Sequence, residues 1–435
     1  MTSRKRNVIT TVLAILVVLQ LLGVLYYFNY FISYAYLPAP FIYDKSDTFM
    51  DFFHVLYWST DPGRYSVWGS VYPPLNFLIM KLIGFTFLDS SRFSDGFELR
   101  SQSFVLRIFI VTMAISMVAI SMRSHLWESY SLVQKHLLFL FCALSAPVLF
   151  AIERGNIIVL CLPILAGVMA SSGVRRLILI AVLINLKPYF ALLALAPLVA
   201  GRWHDLFFIG LCAATIFIIS GLLLDPAFLY FLPNILSFGQ SASIFSGREV
   251  LALPSSIDAF AYSLIAALSS EKDLGLTGVD WGHVSFAIGL LNKAALVLAL
   301  LALFSARNRL PQTQLFAFLV VIICNMGVWV GGYSFAFFPY IIPALFYFRL
   351  RWALLASVVL ILLPLDAVVV FRELLPERPV FSSGIVQQIE FQITLGTLLR
   401  PTLDFVILVL MSVDILLRRW SLVATDVEIE QRASK

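Results

Sequence analysis

Acidic, basic and aromatic side chains are concentrated in one short segment near the start of this chain. Residues 43–72 read YDKSDTFMDFFHVLYWSTDPGRYSVWGSVY, with four aspartates, two basic residues and a histidine. An aspartate that is partly withdrawn from water has a raised pKa and can take a proton from a hydroxyl group, as a general base does. Asp51 stands before an aromatic pair at the start of an amphipathic stretch and is the predicted base, with Asp47 as the second candidate.

Two cations lie in segments that are otherwise apolar. Arg154 belongs to the sequence ERGN, and Lys187 belongs to LKPYF. A cation at membrane depth costs about 2.5–3.5 kcal/mol, so each of them needs an anionic partner or a polar cavity. A lipid phosphate is one such partner. The alternative is that each cation pairs with a carboxylate or a helix end.

Four further residues are predicted to position a substrate rather than react with it. They are Tyr72, Pro73, Asn156 and Tyr189. The Tyr-Pro-Pro-Leu sequence at residues 72–75 is typical of a stiffened helix start. The sequence contains no HExxH, GxSxG, Walker or CxxC motif, and we therefore predict no metal and no cofactor.

The composition excludes a soluble globular protein. Hydrophobic residues make up 60% of the chain and charged residues 13%, against about 45–50% and 25% in soluble domains. Apolar stretches of about 17–24 residues recur along the chain, which predicts an all-α polytopic membrane protein. The four cysteines all lie in apolar segments, so we expect no disulfides. The net charge of +5 is spread over short loops and reads as a topology signal, not as nucleic-acid binding.

The predicted organisation is one integral membrane domain over residues 1–435, with both termini in the cytoplasm. A first span at residues 8–30 follows basic Arg4, Lys5 and Arg6. Residues 31–100 form an external loop, in which Tyr72–Leu88 is expected to lie along the membrane surface without crossing. Residues 101–224 contain further spans, 225–282 a second external region, 283–417 the C-terminal spans and 418–435 a cytoplasmic tail.

The later apolar segments bring the total to about twelve membrane segments. They are Ser101–Met122, Lys135–Ile152, Ile157–Ala170, Leu177–Ala200, Leu206–Leu224, Val284–Ala306, Leu315–Val330, Phe335–Phe348, Trp352–Phe371 and Leu403–Leu417. The sequence predicts an external turn at Glu153–Asn156, an interfacial helix at Ser255–Leu268 and an external loop at Arg372–Pro401. It leaves open whether residues 175–200 form a hairpin that turns at Lys187-Pro188 or a single kinked span.

These motifs, in this order, resemble the GT-C superfamily of membrane glycosyltransferases. The resemblance rests on Asp51-Phe52 in the first external loop, the Tyr-Pro-Pro-Leu helix start, and the segments SAPVLFAIERGNIIVLCLPILAG and LINLKPYFALLALAPLVAGRW. It covers roughly the first half of the chain and is greatest for the polyprenol-phosphate-mannose-dependent mannosyltransferases, including those that build phosphatidylinositol mannosides. The chain departs from the family's G-Q-x-N turn, where it has Arg154-Gly155-Asn156.

The resemblance implies a bundle with external juxtamembrane helices in the first long loop and an active site outside the cell membrane. It implies transfer of a hexose, with mannose favoured, from a polyprenyl-phosphate sugar to a lipid or glycan acceptor. By motif, Asp51 would then be the catalytic base and Lys187 the basic residue beside the phosphate. Arg154 is the other predicted phosphate ligand, on the ground of its position in an apolar segment. A polysaccharide polymerase and a lipid or glycan flippase remain as alternatives. Membrane lipids are the expected surroundings, and we expect no nucleic-acid partner.

Overall fold

The structure is a computed structural model of the whole chain. It describes residues 3–87, 92–123, 127–128, 130–224, 226–238, 254–269, 281–306, 310–326, 331–380 and 383–433. The described part is mainly helical, which agrees with the coarse prediction of a helical membrane protein.

The first half of the chain contains one long helix followed by many shorter ones. They are α1 (Ser3–Tyr34), α2 (Met50–Trp58), α3 (Pro74–Phe87), α4 (Gly96–Gln102), α5 (Phe104–Ser121), α6 (Leu132–Ala143), α7 (Ala146–Arg154), α8 (Ile158–Ala170), α9 (Gly173–Leu186), α10 (Leu195–Val199) and α11 (Trp203–Leu224). Short 3₁₀ helices occupy Pro62–Arg64 and Pro188–Ala194.

The second half combines helices with a two-stranded antiparallel sheet. Its helices are α12 (Phe231–Phe238), α13 (Ile257–Ser269), α14 (Trp281–Ser305), α15 (Gln312–Cys324), α16 (Phe338–Leu345), α17 (Arg351–Leu362) and α18 (Leu395–Ala433). The strands are β1 (Val369–Pro379) and β2 (Val386–Thr394), and 3₁₀ helices occupy Pro226–Tyr230, Gly332–Phe337 and Leu365–Ala367.

Four of the described helices are long and apolar enough to cross a membrane. They cover Asn7–Tyr34, Phe104–Ser121, Trp203–Leu224 and Gly282–Ser305, and the bent pair of α6 and α7 would add a fifth crossing. Only 17–28% of their most apolar windows is buried, so most of their apolar surface faces outward, as expected for helices surrounded by lipid. The remaining apolar helices are shorter, and the total of about twelve membrane segments stays a prediction.

The predicted span Lys135–Ile152 is two helices. α6 and α7 meet at an angle of 57°, and Pro147 stands at the start of α7, where proline is favoured. The predicted turn Glu153–Asn156 is also wrong in its first half, because Glu153 and Arg154 belong to the last turn of α7. Gly155 then ends the helix in a left-handed conformation.

The stretch around Lys187 folds back on itself. The Arg176 guanidinium lies 5.2 Å from the centre of the Phe316 ring, and Phe316 lines a cavity together with Val199 and Arg202. The two arms match in length, since α9 rises about 21 Å and the 3₁₀ helix with α10 rises about the same distance. Both ends of the stretch therefore lie beside the start of α15. Residues 175–200 form a hairpin and not a single kinked span.

Within the described residues, the chain departs from the predicted all-α fold in the segment that was predicted as a third external loop. Arg372–Pro401 is not a loop but contains most of β1, all of β2 and the first turns of α18. The predicted span Trp352–Phe371 is shorter for the same reason, because α17 ends at Leu362 and Val369 already begins β1. Apolar and polar residues alternate in β2, with Ile389, Phe391 and Ile393 as the buried apolar ones, and the polar residues between them are buried too. This period of two is the signal for a strand that the sequence contained.

Three other late segments differ in detail from their predicted bounds. Phe335–Phe348 is divided between a 3₁₀ helix and α16, Leu315–Val330 ends as a helix at Cys324, and Leu403–Leu417 lies inside the longer α18. Residues 327–330 lie outside the described residues, as do 239–253 and 270–280 of the second external region.

Candidate functional site

Asp51 lies in the first turn of α2, on the face of that helix that remains partly open. The opposite face is buried through Met50, Phe52, Phe53, Val55 and Leu56. The Asp51 side chain keeps 20% of its surface exposed, whereas Asp47 is fully buried. Of the two predicted bases, only Asp51 can therefore be reached by a substrate without rearrangement of the fold.

The Asp51 carboxylate is held by two donors from the end of α7. Arg154 Nη2 lies 2.6 Å from Oδ1, and Asn156 Nδ2 lies 2.6 Å from Oδ2. Each carboxylate oxygen has a second lone pair that can accept another hydrogen bond. The two donors thus orient the carboxylate and leave it able to accept a proton.

The backbone at the junction of α7 and α2 is packed closely. The Phe49 N–H donates to the Glu153 carbonyl at 2.6 Å. A Cβ atom added at Gly155 would lie 2.9 Å from Phe52 Cβ and 3.1 Å from the Phe49 carbonyl oxygen. Gly155 also has φ of 62°, a conformation that disfavours other residues. The glycine of the ERGN motif therefore allows α2 to approach α7 closely enough for the two hydrogen bonds to Asp51.

The partners of Arg154 are carboxylates, which the sequence analysis gave as the alternative to a lipid phosphate. Its guanidinium forms ion pairs with both Asp47 and Asp51, and only 9% of the side chain is exposed. The guanidinium is thereby engaged on two sides. Its position suits the orientation of Asp51 better than the capture of a lipid phosphate.

Lys187 lies at the tip of the hairpin, across the site from Arg154. Its Nζ atom is 4.7 Å from the centre of the Tyr72 ring and 6.0 Å from that of Tyr333, distances typical of cation–π contacts. In the described part of the chain no carboxylate lies within 4 Å of this nitrogen. Asp366, the other carboxylate considered as a partner for Lys187, is buried and is engaged by Arg400, whose Nη1 lies 2.8 Å from Oδ1.

The break before Lys187 is fixed by the start of α3. Asn76 is fully buried, and its Nδ2 donates to the Leu186 carbonyl at 2.9 Å. Lys187 itself has an extended backbone, and Pro188 begins the returning 3₁₀ helix. The Tyr-Pro-Pro-Leu motif is therefore positional, since buried Pro73 precedes the helix that fastens the hairpin tip beside Tyr72.

The environment makes Asp51 a stronger base than an aspartate in water. Burial raises the pKa of Asp51 to about 6, although the hydrogen bond from Asn156 and the positive charge of Lys187 lower it. A carboxylate of this pKa is mostly ionised at pH 7 and accepts a proton more readily than ordinary aspartate.

The structure thus brings together most of the residues singled out in the sequence. Asp51, Asp47, Arg154 and Asn156 are joined by hydrogen bonds or ion pairs, and Lys187 and Tyr72 face each other beside them. Tyr189 follows Lys187 in the 3₁₀ helix and packs its ring 5.0 Å from that of Phe190. Within the described residues Tyr189 forms no hydrogen bond with Asp51, so its role is indirect.

Sequence reasoning missed two residues that complete the site. Tyr333 contributes a ring to the Lys187 environment, and Asn76 fixes the hairpin tip. Tyr333 is one of 16 tyrosines in a chain that also has 38 phenylalanines, and nothing in the sequence distinguishes it from the others. Asn76, in contrast, is a polar residue inside an apolar helix, and such residues favour a buried contact.

Comparison with known proteins gave no match to a protein-family model, to a curated protein or to a solved structure.

Proposed function

We propose that this protein is an inverting membrane glycosyltransferase. It would move a hexose, with mannose favoured, from a polyprenyl-phosphate sugar to a lipid or glycan acceptor at the external face of the cell membrane. The observation that supports this proposal is the single site that combines a reachable, oriented carboxylate with a cation that has no carboxylate partner within 4 Å in the described residues.

The proposed reaction is a single displacement at the anomeric carbon. Asp51 removes the proton of the acceptor hydroxyl as the oxygen attacks the anomeric carbon. The bond between that carbon and the phosphate oxygen breaks, and polyprenyl phosphate leaves with the electron pair. One base is sufficient for this route, and attack opposite to the leaving group inverts the configuration.

Lys187 is the proposed partner of the departing phosphate. A positive charge placed where negative charge develops lowers the barrier most when it is fixed in advance. Asn76 fixes the backbone beside Lys187, and Tyr72 and Tyr333 flank its ammonium group. Arg154 and Asn156 are assigned to the orientation of Asp51, and Tyr72, Pro73 and Tyr189 to the shape of the site.

The proposal can be tested with the full chain reconstituted into lipid vesicles. The vesicles receive polyprenyl-phosphate mannose labelled in the sugar, together with a membrane lipid extract as the source of acceptor. We expect label to appear in a new product and an equal amount of free polyprenyl phosphate to form. Vesicles without the protein are the control.

Two other outcomes would replace the proposal. Movement of intact labelled donor across the bilayer, without a new product, would indicate a flippase. Growth of a polysaccharide from lipid-linked oligosaccharides, without use of polyprenyl-phosphate mannose, would indicate a polymerase.

A further inference from the structure

The open face of α2 continues from Asp51 to an aromatic surface. Asp51, His54 and Trp58 are spaced by three and four residues, so they lie on one side of the helix. All three are partly exposed, whereas the residues between them are mostly buried. Trp58 lies about 10 Å along the helix axis from Asp51.

Three rings stack at the far end of this face. The His54 ring lies 5.3 Å from the Trp58 ring, with 14° between their planes. The Trp68 ring lies 5.8 Å from the Trp58 ring on an adjoining turn, with 24° between their planes. Trp58 is covered by two neighbours, and Trp68 ends the stack with 45% of its surface exposed.

Trp68 is held in place by a carboxylate. Its Nε1 donates to Asp61 Oδ2 at 2.6 Å, and Asp61 Oδ1 accepts from the Gly63 N–H at 2.7 Å. Beneath them, buried Arg64 donates to the Trp58 carbonyl at 2.9 Å. The result is a fixed indole ring beside a carboxylate whose remaining lone pairs can accept further hydrogen bonds.

We infer that Trp68 and Asp61 form a binding site for a saccharide, the glycan part of the acceptor. One face of a pyranose ring consists of C–H groups and packs on an indole, while its hydroxyls donate to a carboxylate. A membrane-anchoring tryptophan would instead leave its N–H free for headgroups or water. The inference rests on the proposed function only in calling the saccharide an acceptor.

The position of the site defines how a glycan would lie. A saccharide unit on Trp68 would be followed by the next unit along the half-exposed side of α2, toward Asp51. The acceptor would therefore carry at least one sugar besides the one that receives the hexose, and a lipid without sugars would not use this surface.

The first experiment measures saccharide binding directly. Ligand-observed saturation-transfer NMR with methyl α-mannobioside is performed on the purified full chain in nanodiscs. We expect transfer to the disaccharide for the wild type, loss for Trp68→Ala, and partial retention for Trp68→Phe, which keeps an aromatic face. Trp203→Ala is the matched control, since Trp203 is also exposed but begins α11, and it should bind like the wild type.

The second experiment separates acceptor from donor in the transfer assay. Trp68→Ala and Asp61→Asn should each raise the acceptor KM about ten-fold, the effect of losing one stacking or hydrogen-bonding contact, with the donor KM unchanged. Equal binding of mannobioside by the wild type and Trp68→Ala would overturn the inference. So would an acceptor KM in Trp68→Ala equal to that of the wild type and of Trp203→Ala.

The saccharide site and the proposed function can fail separately. Transfer without any binding of mannobioside by the wild type would remove the saccharide site and leave the glycosyltransferase. Binding that depends on Trp68, without transfer from polyprenyl-phosphate mannose, would leave a saccharide-binding membrane protein and remove the proposed function.

Discussion

At the scale of single residues, the chemistry depends on how two cations, Arg154 and Lys187, interact with two carboxylates, Asp47 and Asp51. Arg154 forms ion pairs with Asp47 and Asp51, whereas Lys187 forms no ion pair within 4 Å in the described residues. Lys187 lies against two tyrosine rings and acts on Asp51 only through its positive charge. One cation is thus used to hold the carboxylate, and the other remains for a ligand. This division separates the predicted roles of Arg154 and Lys187, which the sequence alone treats alike.

Replacement of Lys187 tests its proposed role in binding the donor phosphate. Lys187→Ala should weaken capture of labelled polyprenyl-phosphate mannose and raise the donor KM, with little change in acceptor KM. Lys187→Arg should restore part of the binding, because a phosphate is attracted by the charge of either side chain. Donor capture is measured on purified protein, and folded yield by size-exclusion chromatography.

A purely structural Lys187 would give a different pattern. Lys187→Ala would then lower the folded yield and leave donor capture by the remaining folded protein unchanged. Lys187→Met keeps the length of the side chain without the charge. If Lys187 is purely structural, this variant should restore the folded yield; if Lys187 binds the donor phosphate, it should not restore donor capture.

The pH profile tests the state of Asp51. Because a general base must be unprotonated, kcat/KM should fall about ten-fold per pH unit below the pKa of Asp51 and be level above it. Burial raises this pKa to about 6, so the bend should lie near pH 6. A profile that is flat from pH 5 to 7 would contradict the assignment.

At the scale of elements, the site depends on the contact between the end of α7 and the start of α2. The ERGN motif supplies three parts of that contact: Arg154 and Asn156 bind Asp51, and Gly155 permits the approach. A change at Gly155 should therefore affect activity without removing any polar group.

Two glycine substitutions separate this contact from backbone strain. Gly155→Ala and Gly173→Ala both place a side chain on a left-handed residue, which costs about 1–2 kcal/mol. The new Cβ would crowd Phe52 and Phe49 at Gly155 but meets nothing within 4 Å at Gly173. We expect a lower melting temperature for both in detergent, with a larger fall and a loss of transfer only for Gly155→Ala. Equal effects of the two would contradict this view of the junction.

The sequence predicted the long apolar helices, but it did not predict the bend between α6 and α7 or the hairpin of β1 and β2. α1 and α5 were predicted because a continuous apolar run of their length has few other uses. The bend between α6 and α7 is next to Pro147, at the start of α7. The strands β1 and β2 lie in a segment whose charged residues favoured a loop. The polar residues were easier, since Asp51, Arg154 and Lys187 in an apolar chain must find one another or a ligand.

At the scale of the whole molecule, the described residues combine four long helices with outward apolar faces and several shorter helices that are well buried. Asn7–Tyr34 and Trp203–Leu224 are among the former, and α15 is almost fully buried among the latter. Such an arrangement suits a membrane protein with a polar site at one face. We predict that this face lies outside the cell, because residues 43–99 are predicted to be external as one block.

A labelling experiment tests this topology. Ser94 is exposed between α3 and α4, so a single cysteine at Ser94, in a chain without Cys142, Cys161, Cys212 and Cys324, should react with an impermeant thiol reagent added to intact cells. An external position of Ser94 agrees with the basic residues that follow the later spans, because such residues are enriched on the cytoplasmic side. Ser91, the second position suited to labelling, lies outside the described residues. Protection of Ser94→Cys until the cells are opened would mean that α3 crosses the membrane.

The most direct test of the central claim is the transfer rate of Asp51→Asn beside the wild type. Both are purified and given polyprenyl-phosphate mannose labelled in the sugar, together with a membrane lipid extract as the source of acceptor. The substitution keeps the size of the side chain and removes its basicity, so the rate should fall by about 10²–10⁴-fold while donor binding and melting temperature stay close to the wild type. Near-wild-type transfer by Asp51→Asn, together with loss of transfer in Asp47→Asn, would contradict the claim and move the base to Asp47.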